Sequence, residues 1–475
     1  MLLIVPGGAN DGNSSKRHAK VRMATAVIQK STTATSYPQS IRHLALGWLL
    51  LLPLIFFAVH GDFSFGGPSN DTLSTASLSG LVSQGRSHGF VGYIVIPGIA
   101  YSIVVWLLLL NARRVVAQAL RMKLLTILAL FTICSALWSQ DPFRSTYNGF
   151  FYLIETLFAF YLVLKLDQED ILSIFIMTGA SICVLSLITV FLFPQSSIMR
   201  SARDGVAWIG VFHDRTTAGK CMLYLLSPAI IFRRQSLRYR HVIYILIMSC
   251  MVVAAHAATA RILLLLYVAW MTAIAVSGRF GRRSLLLMAG IFLVAGVLIA
   301  AAGVQLLPQV LGVLGRNATL SGRTEIWSLV LGSIAKRPLL GYGYYAFWQG
   351  LKGESANLIV GTHWVFGYAH NGIMEICLQL GLVGTALFLA TLFQAMGNAW
   401  FCLRNGCPPG VQWYIGLIAL TLFYNIDEST VLWPIDLVSI IYIVACCGLA
   451  TAVRQIKSVR TAEGMDNRCL TYITY

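Results

Sequence analysis

The stretch NGIMEICLQLGLVGTALFLATLFQAM, residues 371–396, runs for 26 residues with one charged side chain, Glu375. A helix rises about 1.5 Å per residue, so this run outreaches the hydrocarbon core of a bilayer, about 30 Å thick. Its apolar residues surround the helix instead of forming one stripe, the pattern of a segment whose surroundings are apolar on every side. Similar runs recur from residue 41 to 453.

Over the whole chain 57% of residues are hydrophobic and 11% are charged. A soluble domain carries about 25% charged residues, so this chain lacks the side chains to cover a water-facing surface. The expected class is an all-α polytopic integral membrane protein of about twelve spans. They are placed at 43–60, 91–111, 124–139, 149–165, 171–193, 218–232, 242–258, 261–278, 284–306, 371–396, 412–425 and 430–452. A large loop, 307–370, separates the ninth from the tenth. Residues 1–42 and 454–475 are read as tails. The first 40 residues are polar and basic, without the make-up of a cleaved signal.

The net charge of +17 raises the question of a nucleic-acid partner. Its distribution argues for a bilayer instead. With the N-terminus inside, 23 of the 35 Lys and Arg residues fall in the predicted cytoplasmic segments, as the positive-inside rule requires. Arg233–Arg240 and Arg279–Arg283 are the firmest anchors. Both termini are then cytoplasmic, and segments 61–90, 194–217 and 307–370 are external. None of the ten cysteines pairs with another in an external segment, so no structural disulfide is expected. No CxxC or HExxH spacing marks a zinc site.

Charged groups at a membrane edge are candidates for function, and four groups stand out. In Gly210-Val211-Phe212-His213-Asp214-Arg215-Thr216-Thr217-Ala218-Gly219-Lys220, cations and backbone N–H groups meet at a helix start, which suits an anion. The plainer alternative is snorkelling of Arg215 and Lys220. Arg261 stands alone between two apolar runs, where a cation near a tight helical hairpin also serves as a cap. Ser321 or Thr324 can begin a helix to about Arg337, with Ile326, Trp327, Leu329, Val330 and Ile334 on its apolar face and Pro338 as its stop. The glycine–aromatic run Gly341-Tyr342-Gly343-Tyr344-Tyr345-Ala346-Phe347-Trp348 follows. Arg323 with Glu325 is otherwise a surface pair of little worth. Last, Tyr368-Ala369-His370-Asn371 leads into the tenth span, where Asn371, Glu375 and Gln379 share a helix face. A histidine suits general-base work near neutral pH, although a lone interfacial histidine is more often structural. Glu155 and Asp436 lie within spans as packing partners or a proton path.

These motifs resemble the O-antigen ligase/polymerase superfamily, in particular succinoglycan-type exopolysaccharide polymerases. The resemblance covers roughly residues 120–450. It is most specific at His370-Asn371, nine residues, then Gly381-Leu382-Val383-Gly384. Arg261 with Leu265 fits the family's Arg-x-x-x-Leu element, and Asn425-Ile426-Asp427-Glu428-Ser429 resembles its late Asn…Glu-Ser motif. Relatives often carry Lys-Asn or Asn-x-Asn where this chain has Asp214-Arg215-Thr216, so the cation is kept and the amide is not.

The resemblance implies a metal-independent, inverting glycosyltransferase of the cell inner membrane that uses no cofactor. Its partner would be a polyprenyl-diphosphate-linked oligosaccharide, with a chain-length regulator and other polysaccharide-export proteins as associates and no nucleic acid. Arg215 and Arg261 would neutralise the diphosphate, and His370 would take the proton of the attacking hydroxyl. Arg323, Lys220, Tyr342, Tyr344, Trp348, Asn371 and Glu375 would hold substrate. Three functions stay open: a polymerase of lipid-linked repeats, a ligase moving glycan onto lipid A core or protein, and a transporter. Against the last, no inverted halves with matching broken helices are apparent.

Overall fold

The computed structural model describes residues 39–59, 95–201, 205–231, 238–277, 323–362, 367–405 and 409–472. The ninth predicted span, 284–306, and external segment 61–90 lie outside them. The chain divides into two units. Leu50–Val453 holds everything discussed below, and Met1–Leu49 with Arg454–Tyr475 forms the other. In the latter, the described residues belong to helices that continue from the main unit.

The helices in chain order are α1 (Gln39–Ala58), α2 (Ile96–Leu110), α3 (Ala112–Arg121), α4 (Lys123–Cys134), α5 (Pro142–Lys165) and α6 (Gln168–Leu192). After the single turn α7 (Pro194–Ser197) come α8 (Arg215–Ile231), α9 (Arg238–Ala254) and α10 (Ala258–Ser277). The last five are α11 (Arg323–Lys336), α12 (Ser355–Thr362), α13 (Gly372–Asn405), α14 (Pro409–Asp427) and α15 (Leu437–Tyr472). Among the described residues, α5, α6, α13 and the Leu437–Thr461 part of α15 are long and apolar enough to cross a membrane. The pair α2 and α3 makes a fifth if taken together, although it bends by 86°. The chain is therefore helical and multi-pass.

Several boundaries differ from expectation for clear reasons. Residues 112–123, expected as a loop, contain α3, which buries Val115, Gln118 and Ala119 and exposes its arginines. The external segment 194–217 contains one antiparallel hairpin, β1 (Ile198–Ser201) with β2 (Gly205–Trp208), so the all-α expectation has an exception. Helix α15 begins at Leu437 and not at 430. Pro434 disfavours helix on its N-terminal side, and the Asp436 carboxylate accepts from Val438 N at 3.0 Å as the cap. Residues 454–472, expected as a tail, continue α15.

The chief departure lies inside residues 371–396. Helix α13 is broken at Gly381, which has φ 63°. The loop Pro338–Gly343 packs against the break and exchanges four backbone hydrogen bonds with it. Tyr342 N donates to Leu378 O (2.8 Å), Gly343 N to Gln379 O (2.9 Å), Leu382 N to Pro338 O (2.8 Å) and Val383 N to Leu339 O (3.1 Å). Glycine is needed on both sides. A Cβ on Gly381 would stand 2.2 Å from Leu339 O, and one on Gly341 2.6 Å from Leu378 O. Helix α11 covers this joint as its sequence implied. Ile326 and Val330 pack with Tyr342, Phe347, Leu358, Ala369 and Leu378 into one buried cluster.

Gly381→Ala should therefore destabilise the protein severely. It combines a left-handed backbone, costing about 1–3 kcal/mol for a non-glycine residue, with a collision against main chain that cannot yield. The thermal midpoint in detergent should fall by several degrees, whereas Gly397→Ala, with open space around its Cβ, should leave it unchanged.

Candidate functional site

Four separated segments supply the site. The first is the entry to α13. Asn371 Oδ1 accepts from Ile373 N (3.1 Å) and Met374 N (3.0 Å), capping the helix. Its Nδ2 donates to Ile426 O at 3.0 Å. Glu375, one turn on, is buried and fully engaged. Its Oε2 accepts from Ala369 N (2.7 Å), and its Oε1 accepts from Trp348 Nε1 (2.9 Å) and Gln379 Nε2 (2.7 Å). Gln379 Oε1 in turn accepts from Tyr345 N at 3.0 Å. The loop before α13 and the glycine–aromatic run are thus pinned to one carboxylate.

That pinning sets His370 in place with φ 49°, a strained value for a side-chain-bearing residue. Its Nδ1 lies 3.3 Å from Glu428 Oε2, and the two side chains are 21% and 6% exposed. With Nδ1–H directed at the carboxylate, the tautomer leaves the Nε2 lone pair as the basic site. The carboxylate would also stabilise the imidazolium formed on proton uptake.

The second segment opens α8. Asp214 Oδ1 accepts from Thr216 N (2.8 Å) and Thr217 N (2.9 Å), and its Oδ2 from Thr217 Oγ1 (2.6 Å). The sequence suggested this helix N-terminus as an anion site. The structure shows the protein's own carboxylate already capping it. Lys220, one turn inside, is buried and pairs with Asp436 at 3.7 Å. Removing one partner of such a pair would leave a buried charge, at about 3–5 kcal/mol.

The third segment, Asn425–Asp436, crosses the floor. Asn425 Oδ1 accepts from Thr430 N at 3.2 Å. Tyr344 OH donates to Leu432 O at 2.8 Å. Glu155 Oε1, from α5, accepts from Ile435 N at 2.6 Å and from Tyr101 OH at 2.9 Å. Leu432 (φ 58°) and Ile435 (φ 59°) are both left-handed. Of five non-glycine residues with positive φ among those described, four (Tyr345, His370, Leu432 and Ile435) belong to the site or its rim. Strain gathered in this way marks functional regions more often than packing alone.

Between these segments and the glycine–aromatic run, the fourth, lies a cavity of about 360 Å³. His213, Asp214, Thr216, Thr217 and Lys220 line one side, and Glu428, Ser429 and Trp433–Ile435 another; Tyr345, Tyr368, Asn148 and Val59 complete the wall. Ser429 Oγ is buried there without a hydrogen-bond partner among the described residues. A buried hydroxyl in that state costs about 1–3 kcal/mol, which a ligand hydroxyl would recover. Among the described residues, no three His, Cys, Asp or Glu side chains are grouped to hold a metal ion.

The structure brings His370 and Lys220 together around Glu428 and the cavity and places the other candidate residues elsewhere. Arg215 opens α8, half-buried beside the cavity-lining Thr216 and not itself in the wall. Arg261 Nε and Nη2 donate to Val253 O at 3.1 and 2.6 Å, closing the α9–α10 hairpin. Two of its five donors are used this way. Arg323 begins α11, and its side chain lies outside the described residues. Tyr342 and Tyr344 are buried, with hydroxyls donating to Ser333 O and Leu432 O. They therefore cannot present ring faces to a glycan. Trp348 is held by Glu375, and Asn371 and Glu375 are spent on backbone and helix capping. The sequence reading missed Glu428 as the partner of His370, and Tyr368 and Trp433 as wall residues. The late Asn…Glu-Ser motif carried the signal for Glu428.

Residues 243–389 match the O-Antigen ligase family. The chain is 30% identical over 160 residues to the exopolysaccharide production protein ExoQ of Rhizobium meliloti, covering 32% of this chain and 36% of that protein. It is 32% identical over 84 residues to a Rickettsia prowazekii protein named "Putative polysaccharide ligase", covering 17% of this chain and 21% of the other. The matches thus span about a third or less of these relatives. The resemblance to the O-antigen ligase/polymerase superfamily and its exopolysaccharide proteins is borne out, and the matched region holds Arg261, the glycine–aromatic run, His370 and Gly381.

Glu375→Ala should leave Ala369 N and Trp348 Nε1 buried without an acceptor, a loss on the order of 2–4 kcal/mol. A lower thermal midpoint with faster proteolysis near residue 369 is expected. An unchanged midpoint would show that another acceptor replaces the carboxylate.

Proposed function

We propose that this protein polymerises lipid-linked oligosaccharide repeat units into exopolysaccharide on the periplasmic face of the inner membrane. The reaction would be metal-independent, inverting glycosyl transfer from a polyprenyl-diphosphate donor. The observation that carries this reading is the His370–Glu428 contact at the edge of a polar cavity that also holds Lys220 and His213. A hydroxyl nucleophile needs a base, and a diphosphate leaving group needs cations; both needs are met within one small volume.

In this mechanism Glu428 orients His370, and His370 Nε2 takes the proton from the acceptor hydroxyl. That oxygen attacks the anomeric carbon of the donor sugar from the face opposite the diphosphate. The C–O bond to phosphate breaks, and the leaving diphosphate keeps its electron pair. Lys220 meets the new negative charge, with Arg215 beside it and Arg261 through the donors it does not spend on Val253. Arg323 would approach the glycan from the start of α11. Glu375, Asn371, Tyr342 and Tyr344 act through position, holding the loop and floor. The proposed topology keeps twelve spans, cytoplasmic termini and a periplasmic 307–370 loop. The names of the relatives support two versions of this chemistry. The exopolysaccharide protein favours polymerisation, and the family description and the Rickettsia protein favour transfer of a glycan to a final acceptor.

His370→Ala should abolish product from purified protein given carrier-linked repeats, and Glu428→Ala should lower kcat about 10²-fold or more. Normal chain length in either variant would remove that residue from the mechanism. Arg215→Ala and Arg261→Ala should each raise donor KM about tenfold; a change in thermal stability alone would confine Arg261 to its hairpin. The direction of transfer is read from the product: carrier-linked dimers mean polymerase, and glycan found on lipid A core means ligase. A phosphatase reporter inserted after the exposed Lys352 should be active outside the cytoplasm, and an inactive one would overturn the topology.

A further inference from the structure

The aromatic wall of the cavity has no role in the steps above, yet its chemistry is specific. Tyr345 comes from the glycine–aromatic run, Tyr368 precedes His370, and Trp433 follows the left-handed Leu432. The Trp433 ring is perpendicular to both tyrosines, at 85° and 5.2 Å from Tyr345 and at 88° and 6.0 Å from Tyr368. All three line the cavity and are only half-buried, whereas the core rings Tyr152, Tyr224, Tyr424 and Trp413 are fully buried. Half-exposed aromatic faces beside a few convergent polar groups are the composition of a small-molecule site. The polar groups here are Asn148, Glu428 and the buried, unpartnered Ser429 Oγ.

We infer that Tyr345, Tyr368 and Trp433 form a saccharide subsite that seats the acceptor sugar, with Ser429 Oγ bonding one of its hydroxyls. A pyranose ring has an apolar C–H face and an equatorial belt of hydroxyls. The trough offers flat rings to the first and Ser429 to the second. Acceptor and not donor follows from position. The Tyr368 ring centroid lies 4.0 Å from that of His370, so a sugar on this wall places its hydroxyl beside the base. The cations Lys220 and His213 line the side contributed by α8 and the residues before it. Backbone strain fits the same role. Tyr345 (φ 59°) and Leu432 (φ 58°) hold unfavourable conformations in the two loops that present rings.

This inference rests on the glycosyl-transfer reading, and its test separates the two. Full-length protein in lipid nanodiscs is titrated calorimetrically with oligosaccharide freed of its carrier by mild acid from the host's own lipid-linked repeats. Acceptor KM is measured separately, at fixed donor. Trp433→Ala and Tyr368→Ala should weaken oligosaccharide binding about tenfold and raise acceptor KM alike, with donor KM unchanged. Trp433→Phe and Tyr368→Phe, which keep a ring, should stay within about threefold of the parent. Trp400→Ala, an exposed tryptophan on α13, should bind as the parent does. Equal binding by Trp433→Ala, Trp433→Phe and the parent would overturn the subsite, and so would the absence of oligosaccharide binding by the parent. If ring-dependent binding is seen but carrier-linked repeats are never joined, the subsite stands and the transferase reading fails.

Discussion

Everything near the site hangs on the four backbone hydrogen bonds between Pro338–Gly343 and the broken centre of α13. A helix of this length has its N–H and C=O groups spent internally, and an apolar medium offers no replacement for any that are opened. Breaking α13 at Gly381 would expose several such groups in the place where water is scarcest. The loop returns a partner to each. The break is thus permitted by the loop, and the loop is held by the break. From that joint Tyr342 and Phe347 are driven into the cluster under α11, Tyr345 is aimed at the cavity, and Glu375 is brought beneath the His370 backbone.

The second constraint is electrostatic. Glu155, Lys220, Glu375, Glu428 and Asp436 are buried in an apolar protein, and each is engaged. Three receive backbone or side-chain donors, Lys220 and Asp436 pair, and Glu428 faces His370. Such groups are costly to bury and are retained where geometry must be held tightly. Here they tie α5, α8, α13 and the segment before α15 around one cavity. The Asp214 cap fits the same pattern. By filling the α8 N-terminus with its own carboxylate, the protein leaves Lys220 and His213 as the nearby groups suited to an incoming anion.

The helical, membrane-type class was legible because composition and run length answer to the bilayer alone. Helix α11 was legible from its capping residue, its apolar face and Pro338. The break in α13 was not, because Gly381 sits in a run apolar on both sides and its conformation is decided by a loop forty residues earlier. The late start of α15 was partly written in Pro434. Of the site, His370 was readable from its motif, but its partner was not, since Glu428 lies 58 residues away and nothing local states which groups will meet. The aromatic candidates went astray for a related reason. In Gly341–Trp348 alternate rings turn inward, and the sequence does not say which; burial took Tyr342 and Tyr344 and left Tyr345 for the cavity.

The same joint also sets where the chain tolerates a change of length. Between Pro338 and Tyr345, and again between Ala369 and Val383, each residue is matched to a fixed partner, so one inserted residue would shift the register of the whole assembly. Between Gly350 and Gly353 the chain is exposed, both glycines are left-handed, and Gly350 has open space around its Cβ. Divergence in size among proteins built on this plan should therefore collect at that turn, which lets the outer surface of the loop change while the joint beneath it keeps its register.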